Sequence, residues 1–135
     1  MIPRQLPQSK DIVIATIGSH SALQILKGAR DEGMRNLVIC QKGKERPYKS
    51  YGVADEILLI DSWDDWNENF EQILIEKNAV IIPHGSFIAY MGHERVRKMK
   101  VMYYGTKEIL EWESNRTMER EWLLAASINM PRVFE

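Results

Sequence analysis

The chain has 135 residues, the size of one globular domain, so we expect a single hydrophobic core. Its 18 basic and 19 acidic residues leave a formal net charge of −1, which argues against a nucleic-acid or membrane partner bound by bulk charge. Residues 1–10 carry prolines and polar side chains in place of an apolar signal core, and no later stretch is apolar enough to span a membrane. The lone Cys40, in an apolar run and without a disulfide partner, is typical of a buried side chain in a reducing compartment. We therefore expect a cytoplasmic protein.

Five short apolar runs, rich in β-branched or aromatic residues, predict strands that are buried on both faces. In chain order they are residues 12–17, 37–40, 57–60, 80–82 and 101–104. Segments with helical spacing separate the runs, most clearly at residues 22–30 and 66–77. The alternation predicts an α/β, Rossmann-like fold with a mostly parallel sheet and helices on both faces.

The last segment differs from the rest of the chain. Residues 109–128 have a mostly helical pattern, and no further strand follows them before residues 129–135. There, Pro131 and the Val133-Phe134 pair are typical of the entry to another structural element. We therefore expect the native protein to continue beyond Glu135, with an ordinary frayed tail as the alternative.

A Gly-Ser-His-Ser turn, residues 18–21, follows the first predicted strand. Gly18 allows a tight turn, and Ser19 or Ser21 can cap the next helix while backbone amides stay free for an anion. His20 then projects near that site. Because ligands of open α/β sheets bind beyond the carboxyl ends of the strands, the turn is a candidate binding site. A plain capped turn with a surface histidine is the alternative.

A second turn with histidine, glycine and serine, His84-Gly85-Ser86, follows the fourth predicted strand. Both turns fall at the same edge of the predicted sheet, so their polar groups can together hydrogen-bond ribose, phosphate or carboxamide groups. No Cys/His/Asp cluster has zinc spacing, and we expect no metal site here. Neither turn has the Gly-x-Ser-x-Gly pattern of a nucleophile elbow, which disfavours nucleophilic catalysis.

Other polar and aromatic residues have structural interpretations as well as functional ones. The basic segment from Lys42 to Arg46 could neutralise a phosphate or form a solvated loop. Residues 92–95, with His93, are expected to be an exposed helix start or loop. The tryptophans are expected to pack, and the aspartates near residue 61 to start a helix; these are Trp63, Trp66, Trp112, Trp122, Asp61, Asp64 and Asp65.

A series of motifs runs in order from about Asp11 to the last residue. Its members are Ala15-Thr16-Ile17-Gly18-Ser19-His20-Ser21, Lys42-Gly43, Arg46-Pro47-Tyr48-Lys49, Val53-Ala54-Asp55, Pro83-His84-Gly85-Ser86-Phe87-Ile88-Ala89-Tyr90 and Trp112-Glu113-Ser114 with Arg116. Together they resemble the archaeal formate-dependent formaminoimidazole-carboxamide ribonucleotide synthetases, the PurP family. The ordered series is far more specific than any one motif.

The resemblance implies an ATP-grasp carbon–nitrogen ligase of purine (IMP) biosynthesis. Such an enzyme joins formate to the 5-amino group of 5-aminoimidazole-4-carboxamide ribonucleotide (AICAR), giving the formamido ribonucleotide (FAICAR), and cleaves ATP with Mg²⁺ or Mn²⁺. In the family, the histidine of the first turn and the serine of the second contact the ribonucleotide, which implies substrate-binding roles for His20 and Ser86. Gly18, Ser19 and Gly85 complete the predicted binding set, and none of the five is assigned a catalytic role.

The chain departs from the family pattern in length and in one loop. Residues 1–135 are expected to form one N-terminal domain of the kind that precedes an ATP-grasp fold, without the ATP-grasp portion that carries the nucleotide and metal ligands. The loop Gly105-Thr106-Lys107-Glu108 lacks the asparagine and arginine expected after its glycine.

We therefore expect the chain to bind the ribonucleotide but, alone, to bind neither ATP nor metal and to be inactive. The alternative is a stand-alone binding or regulatory module for purine intermediates or phosphosugars, without catalysis. The sequence leaves the oligomeric state open, a homo-oligomer included.

Overall fold

The computed structural model describes residues 12–134, so residues 1–11, expected to hold no signal segment, and Glu135 lie outside the described part. Five parallel strands form one sheet in the order β3-β2-β1-β4-β5. The strands are β1 Val13–Ile17, β2 Arg35–Gln41, β3 Glu56–Ile60, β4 Ala79–Ile81 and β5 Met102–Tyr103. Each lies within two residues of an apolar run identified in the sequence, and the predicted parallel α/β sheet is confirmed.

Helices connect the strands and continue beyond β5. They are α1 Ala22–Asp31, α2 Arg46–Tyr51, α3 Glu68–Glu76, α4 Ser86–Lys98, α5 Leu110–Ser114 and α6 Arg116–Ala125, with 3₁₀ turns at Trp63–Asp65 and Lys107–Ile109. None of the helices among residues 12–134 is both long enough and apolar enough to cross a membrane.

Both faces of the sheet are covered, as predicted. Because side chains alternate along a strand, Leu37 and Ile39 of β2 face one cluster of buried side chains, whereas Val38 and Cys40 face another. The first cluster contains residues from α3 and α4, and the second contains residues from α1 and α2. Cys40 is 1% exposed, which confirms its interpretation as a buried side chain.

Two buried polar residues, Asn36 and Glu71, hold connecting segments of the chain in place through hydrogen bonds. Asn36 exchanges hydrogen bonds with Asp55: the Asn36 amide donates to Asp55 Oδ2 at 2.9 Å, and the Asp55 amide donates to Asn36 Oδ1 at 3.0 Å. The Glu71 carboxylate accepts from Trp66 Nε1 at 3.1 Å and from the backbone amide of Lys100 at 2.6 Å. These bonds satisfy buried polar groups and anchor the chain before β3 and before β5.

The structure corrects one local prediction and refines two others. Arg46 begins α2 and so is not part of a loop, because Pro47 with its fixed φ is favourable in the first turn of a helix. The helix start expected at residues 92–95 is confirmed, because the positive φ of Gly92 (71°) breaks α4 and its second helical half begins there. The helical segment at residues 109–128 is interrupted at Asn115, whose side chain accepts the amides of Thr117 and Met118 and starts α6.

The structure confirms the expected roles of some of these tryptophans and aspartates and revises the roles of others. Trp63 and Trp66 are buried, whereas Trp112 and Trp122 are 40% and 48% exposed and contact each other, with ring centroids 6.4 Å apart. Asp64 and Asp65 lie in the first turn of the 3₁₀ helix at Trp63–Asp65, which confirms their helix-start role. Asp61 precedes that helix and pairs with Lys42 at 2.7 Å.

Candidate binding site at the junction of β1 and β4

The candidate site lies where the winding of the sheet reverses. From β1 the chain crosses through α1 to β2 on one side, whereas β4, the neighbour of β1 on its other side, leads into α4 and β5. The two helices pack on opposite faces of the sheet. Such a reversal leaves a crevice at the carboxyl ends of the two strands, the usual ligand position in open α/β sheets. The turns after β1 and β4 both border it.

The two strand ends are held firmly against each other. The amide of Ile82 donates to the carbonyl of Ala15 at 2.8 Å, and the buried Thr16 hydroxyl donates to the carbonyl of Ile82 at 3.0 Å. Thr16 is completely buried, so its hydroxyl depends on this protein acceptor. The chain therefore leaves β4 at a position fixed relative to β1.

The first turn requires its glycine because neighbouring side chains fill the space around it. A Cβ at Gly18 would lie 2.8 Å from Cβ of Cys40 and 3.0 Å from the hydroxyl oxygen of Tyr48. The Tyr48 hydroxyl also donates to the carbonyl of Ser19 at 3.3 Å. Tyr48 therefore supports the turn. The sequence pattern gave it no separate role, although it lies in the Arg46-Pro47-Tyr48-Lys49 motif.

Burial also makes the cysteine beside this turn unreactive. Burial, followed by the nearby Glu45 carboxylate, raises the pKa of the Cys40 thiol to about 11. The thiolate is the nucleophilic form of cysteine, and it is scarcely populated at neutral pH with such a pKa. Cys40 therefore contributes packing against the turn and no nucleophile.

His84 joins the two turns through both nitrogens of its ring. Nε2 lies 3.0 Å from the carbonyl oxygen of Ile17 at the end of β1, and Nδ1 lies 3.3 Å from the hydroxyl oxygen of Ser19. The backbone amide of Ser86 also donates to Nδ1 at 3.3 Å. Burial, and to a lesser degree the neighbouring His20, lower the pKa of His84, while its bond to the Ile17 carbonyl opposes this shift.

The helix cap proposed for the first turn is only partly as expected. Ser21 occupies the N-cap position of α1, but its side chain makes no capping hydrogen bond, since its backbone is already helical. The amide of Ser21 instead donates to the hydroxyl oxygen of Ser19 at 3.5 Å. Ser21 is therefore wrong as the side-chain cap, and Ser19 provides this weak contact within the turn.

The structure brings the predicted binding residues to one edge. Among residues 12–134 the side-chain hydroxyl of Ser86 makes no hydrogen bond, although the residue is 6% exposed. His20 is exposed, and it lies near enough to His84 in the second turn to contribute to the lowered pKa of His84. A Cβ at Gly85 would meet no atom within 4 Å, so the backbone there is open to close approach. Groups that can contact a ligand therefore lie on both sides of the hydrogen bond between Ser19 and His84.

Of the three basic side chains between Lys42 and Arg46, one is paired with a carboxylate and one donates to a neutral amide. Lys42 pairs with Asp61 at 2.7 Å, and Lys44 donates to the Gln41 side-chain oxygen at 2.7 Å. Arg46 makes no hydrogen bond or ion pair with any residue between 12 and 134. The contacts of the two lysines favour the solvated-loop interpretation for them. The described residues also include no group of three or more His, Cys, Asp or Glu side chains placed to hold a metal ion.

Comparison with known sequences supports the resemblance noted above. A synthetase of Methanopyrus kandleri, named 5-formaminoimidazole-4-carboxamide-1-(beta)-D-ribofuranosyl 5'-monophosphate synthetase, is 44% identical over 93% of this chain and 36% of its own length. A synthetase of the same name from Methanosphaera stadtmanae is 46% identical over 93% of this chain and 35% of its own length. The chain thus spans little more than a third of the curated relatives it matches.

Solved structures agree with this comparison. The IMP biosynthesis protein PurP from Thermococcus kodakaraensis superposes with a TM-score of 0.74 at 31% identity, covering 90% of this chain and 39% of that one. A biotin carboxylase domain of a thermophilic 2-oxoglutarate carboxylase, bound to ADP, gives a TM-score of 0.63 at 18% identity, over 86% of this chain and 27% of its own, and shows the shared fold alone.

The resemblance to the PurP synthetases is therefore confirmed by relatives in sequence and in structure. A family model described as "Protein of unknown function (DUF1246)" matches residues 14–134, nearly the whole described chain. The chain belongs to this DUF1246 family.

Proposed function

We propose that this chain is the substrate-holding N-terminal domain of a cytoplasmic ATP-dependent ligase that joins formate to AICAR, giving FAICAR in purine biosynthesis. The observation that carries the proposal is the meeting of the two turns at the β1–β4 junction, with the Ser86 hydroxyl and the His20 ring free to contact a ligand. The names of the relatives supply the identity of the reaction and of the ribonucleotide. Because this chain spans little more than a third of those relatives, the complete reaction is proposed for a longer protein that contains it.

Each proposed binding residue has a distinct part. The Ser86 hydroxyl can donate to, or accept from, a polar group of the ribonucleotide, and the His20 ring can do the same through either nitrogen. The open space at Gly85 lets the ligand approach the backbone, whereas Gly18 keeps the first turn tight. Ser19 contributes a hydroxyl whose orientation is fixed by His84. These residues bind and orient the substrate, and none of them performs acid or base catalysis in this proposal.

ATP and its Mg²⁺ or Mn²⁺ are assigned to the ATP-grasp portion of the longer enzyme. Among the described residues, no three His, Cys, Asp or Glu side chains are grouped to hold a metal ion. We expect this chain alone to show no ADP release that depends on formate and AICAR. Stoichiometric release of ADP by the chain would show that the catalytic site has been assigned to the wrong part of the enzyme.

Calorimetric titration with AICAR tests the binding assignment, and it is best made on the longest natural version of the protein. Replacing either His20 or Ser86 by alanine removes a hydrogen bond to the ligand, so binding should weaken by roughly 1–3 kcal/mol, about five- to a hundred-fold. His93→Ala is the matched control, because His93 lies beyond the kink in α4 and faces Glu94 at 3.8 Å. Equal and negligible effects of all three substitutions, with the fold intact, would sink the assignment.

A further inference from the structure

We propose that His84 is a positioning residue for this site: it locks the two turns together as a neutral ring protonated on Nε2, and it thereby fixes the Ser19 hydroxyl as a hydrogen-bond acceptor toward the ligand. The inference rests on the proposed function, because it names the ligand groups that the same site would recognise. His84 has no ring nitrogen left for the ligand and so is not itself a contact.

The protonation state follows from the chemistry of the neighbouring groups. A carbonyl oxygen only accepts, so the Nε2 atom that lies 3.0 Å from the Ile17 carbonyl must carry a proton. A backbone amide only donates, so the Nδ1 atom that lies 3.3 Å from the Ser86 amide must be unprotonated. The two contacts together admit only the neutral Nε2–H tautomer. A doubly protonated ring would face the Ser86 amide with a second donor.

This tautomer determines the direction of the bond to Ser19. Because Nδ1 has a lone pair and no proton, only the Ser19 hydroxyl can be the donor across the 3.3 Å separation, and it shares that lone pair with the Ser86 amide. The hydroxyl oxygen also receives the Ser21 amide at 3.5 Å, which leaves one lone pair for a ligand. Ser19 can therefore meet an N–H or O–H group, such as an amine, a carboxamide nitrogen or a ribose hydroxyl, but it cannot donate to a phosphate oxygen.

The surroundings keep the ring in this state. His84 is partly buried between the turns and makes an edge contact with the fully buried Phe87, with ring centroids 5.4 Å apart. The resulting low pKa agrees with a neutral ring at physiological pH. By contrast, the Ser86 hydroxyl has no partner among the described residues, so it remains free to donate. Ser19 would then only accept a hydrogen bond from the ligand, whereas Ser86 could also donate one.

Two substitutions of His84 test the roles of its two ring nitrogens separately. His84→Asn keeps an acceptor near the position of Nδ1 but loses the donor to Ile17, whereas His84→Gln keeps a donor near Nε2 but loses the acceptor. If Nδ1 orients the site, His84→Asn should bind AICAR within a few-fold of the unmodified protein, while His84→Gln and His84→Ala should bind about ten-fold more weakly or worse. Equal affinities of the asparagine and glutamine variants, both folded by circular dichroism, would overturn the proposal.

A ligand-free measurement separates this proposal from the proposed function. Nitrogen-15 NMR of the His84 ring at neutral pH should show Nε2 protonated and Nδ1 unprotonated, and the Ser86 amide should exchange faster in His84→Gln than in His84→Asn. If AICAR fails to bind the unmodified protein while the NMR result is as expected, the substrate assignment is wrong and the positioning role of His84 stands. A ring protonated on Nδ1 would refute the positioning role, whatever the ligand.

Discussion

Two regions of the molecule differ in how closely the rest of the chain packs against them. One is the edge of the sheet at β1 and β4, and the other is the helical segment after β5. At the sheet edge, Gly18 lies against Cys40 and Tyr48, and His84 bonds to the end of β1 and to Ser19 in the turn that follows it. In α5 and α6, by contrast, no residue is buried. Leu110 packs against the edge of the main cluster, but six large apolar side chains after it are exposed, from 40% for Trp112 to 87% for Phe134.

The sheet edge and the helical segment after β5 contribute differently to the stability of the chain. Burial of apolar surface is the main favourable term in folding, and here it lies in the two clusters around the sheet. The turns after β1 and β4 continue directly from strands of that core, which fixes their position. The helices α5 and α6 make few such contacts, so substitutions in them should cost this chain little stability.

At the sheet edge, the largest expected effect on stability concerns the tight turn after β1. Gly18→Ala places a methyl group 2.8 Å from Cβ of Cys40, so the turn or its neighbours must shift, and we expect a loss of roughly 1–3 kcal/mol in the free energy of unfolding. Urea denaturation measures this loss. Gly85→Ala is the matched control, since its Cβ meets no atom within 4 Å and should change stability by less than about 0.5 kcal/mol. Similar stabilities of the two variants would contradict the packing described for the first turn.

The same contrast explains what the sequence could predict. The five strands were predictable because parallel strands buried on both faces leave unbroken apolar runs, and the two turns were predictable because they follow such strands. The fixed ring of His84 and the support from Tyr48 were not, because each depends on contacts between residues far apart in the chain. The kink at Gly92 likewise depends on backbone geometry that helical spacing does not reveal.

Exposure of Trp112 and Trp122 illustrates another limit of the sequence. Their spacing on helices is the same whether the apolar side faces a core or solvent, so a packing role was the natural expectation. The structure shows that within residues 12–134 these rings mainly contact each other. A periodic pattern predicts that a helix has an apolar face, but it cannot say what that face contacts.

A smaller effect should appear in the pH dependence of stability. The pKa of His84 lies below its ordinary value of 6.5 in the folded chain, so the unfolded chain binds more protons as the pH falls through 6.5. Stability attributable to this group is therefore present above 6.5 and is lost as the pH falls toward the lower folded pKa. Comparing unfolding free energies from about pH 8 to about pH 5 should show a steeper loss for the unmodified protein than for His84→Asn. Parallel curves for the two proteins would contradict a lowered pKa of His84.

The smallest expected effect is that of truncating Trp122 on α6. Its ring is 48% exposed and its aromatic neighbour is Trp112, itself 40% exposed, so Trp122→Ala should lower the free energy of unfolding by less than about 0.5 kcal/mol. Trp63→Ala is the control: Trp63 is 9% exposed and stacks on Tyr90 at 5.5 Å, and its loss should cost about 3–5 kcal/mol. Urea denaturation of both variants gives the comparison directly. A loss for Trp122→Ala approaching that of the control would mean that α6 is an integral part of the core, and the distinction between the sheet edge and the helical segment would then fail.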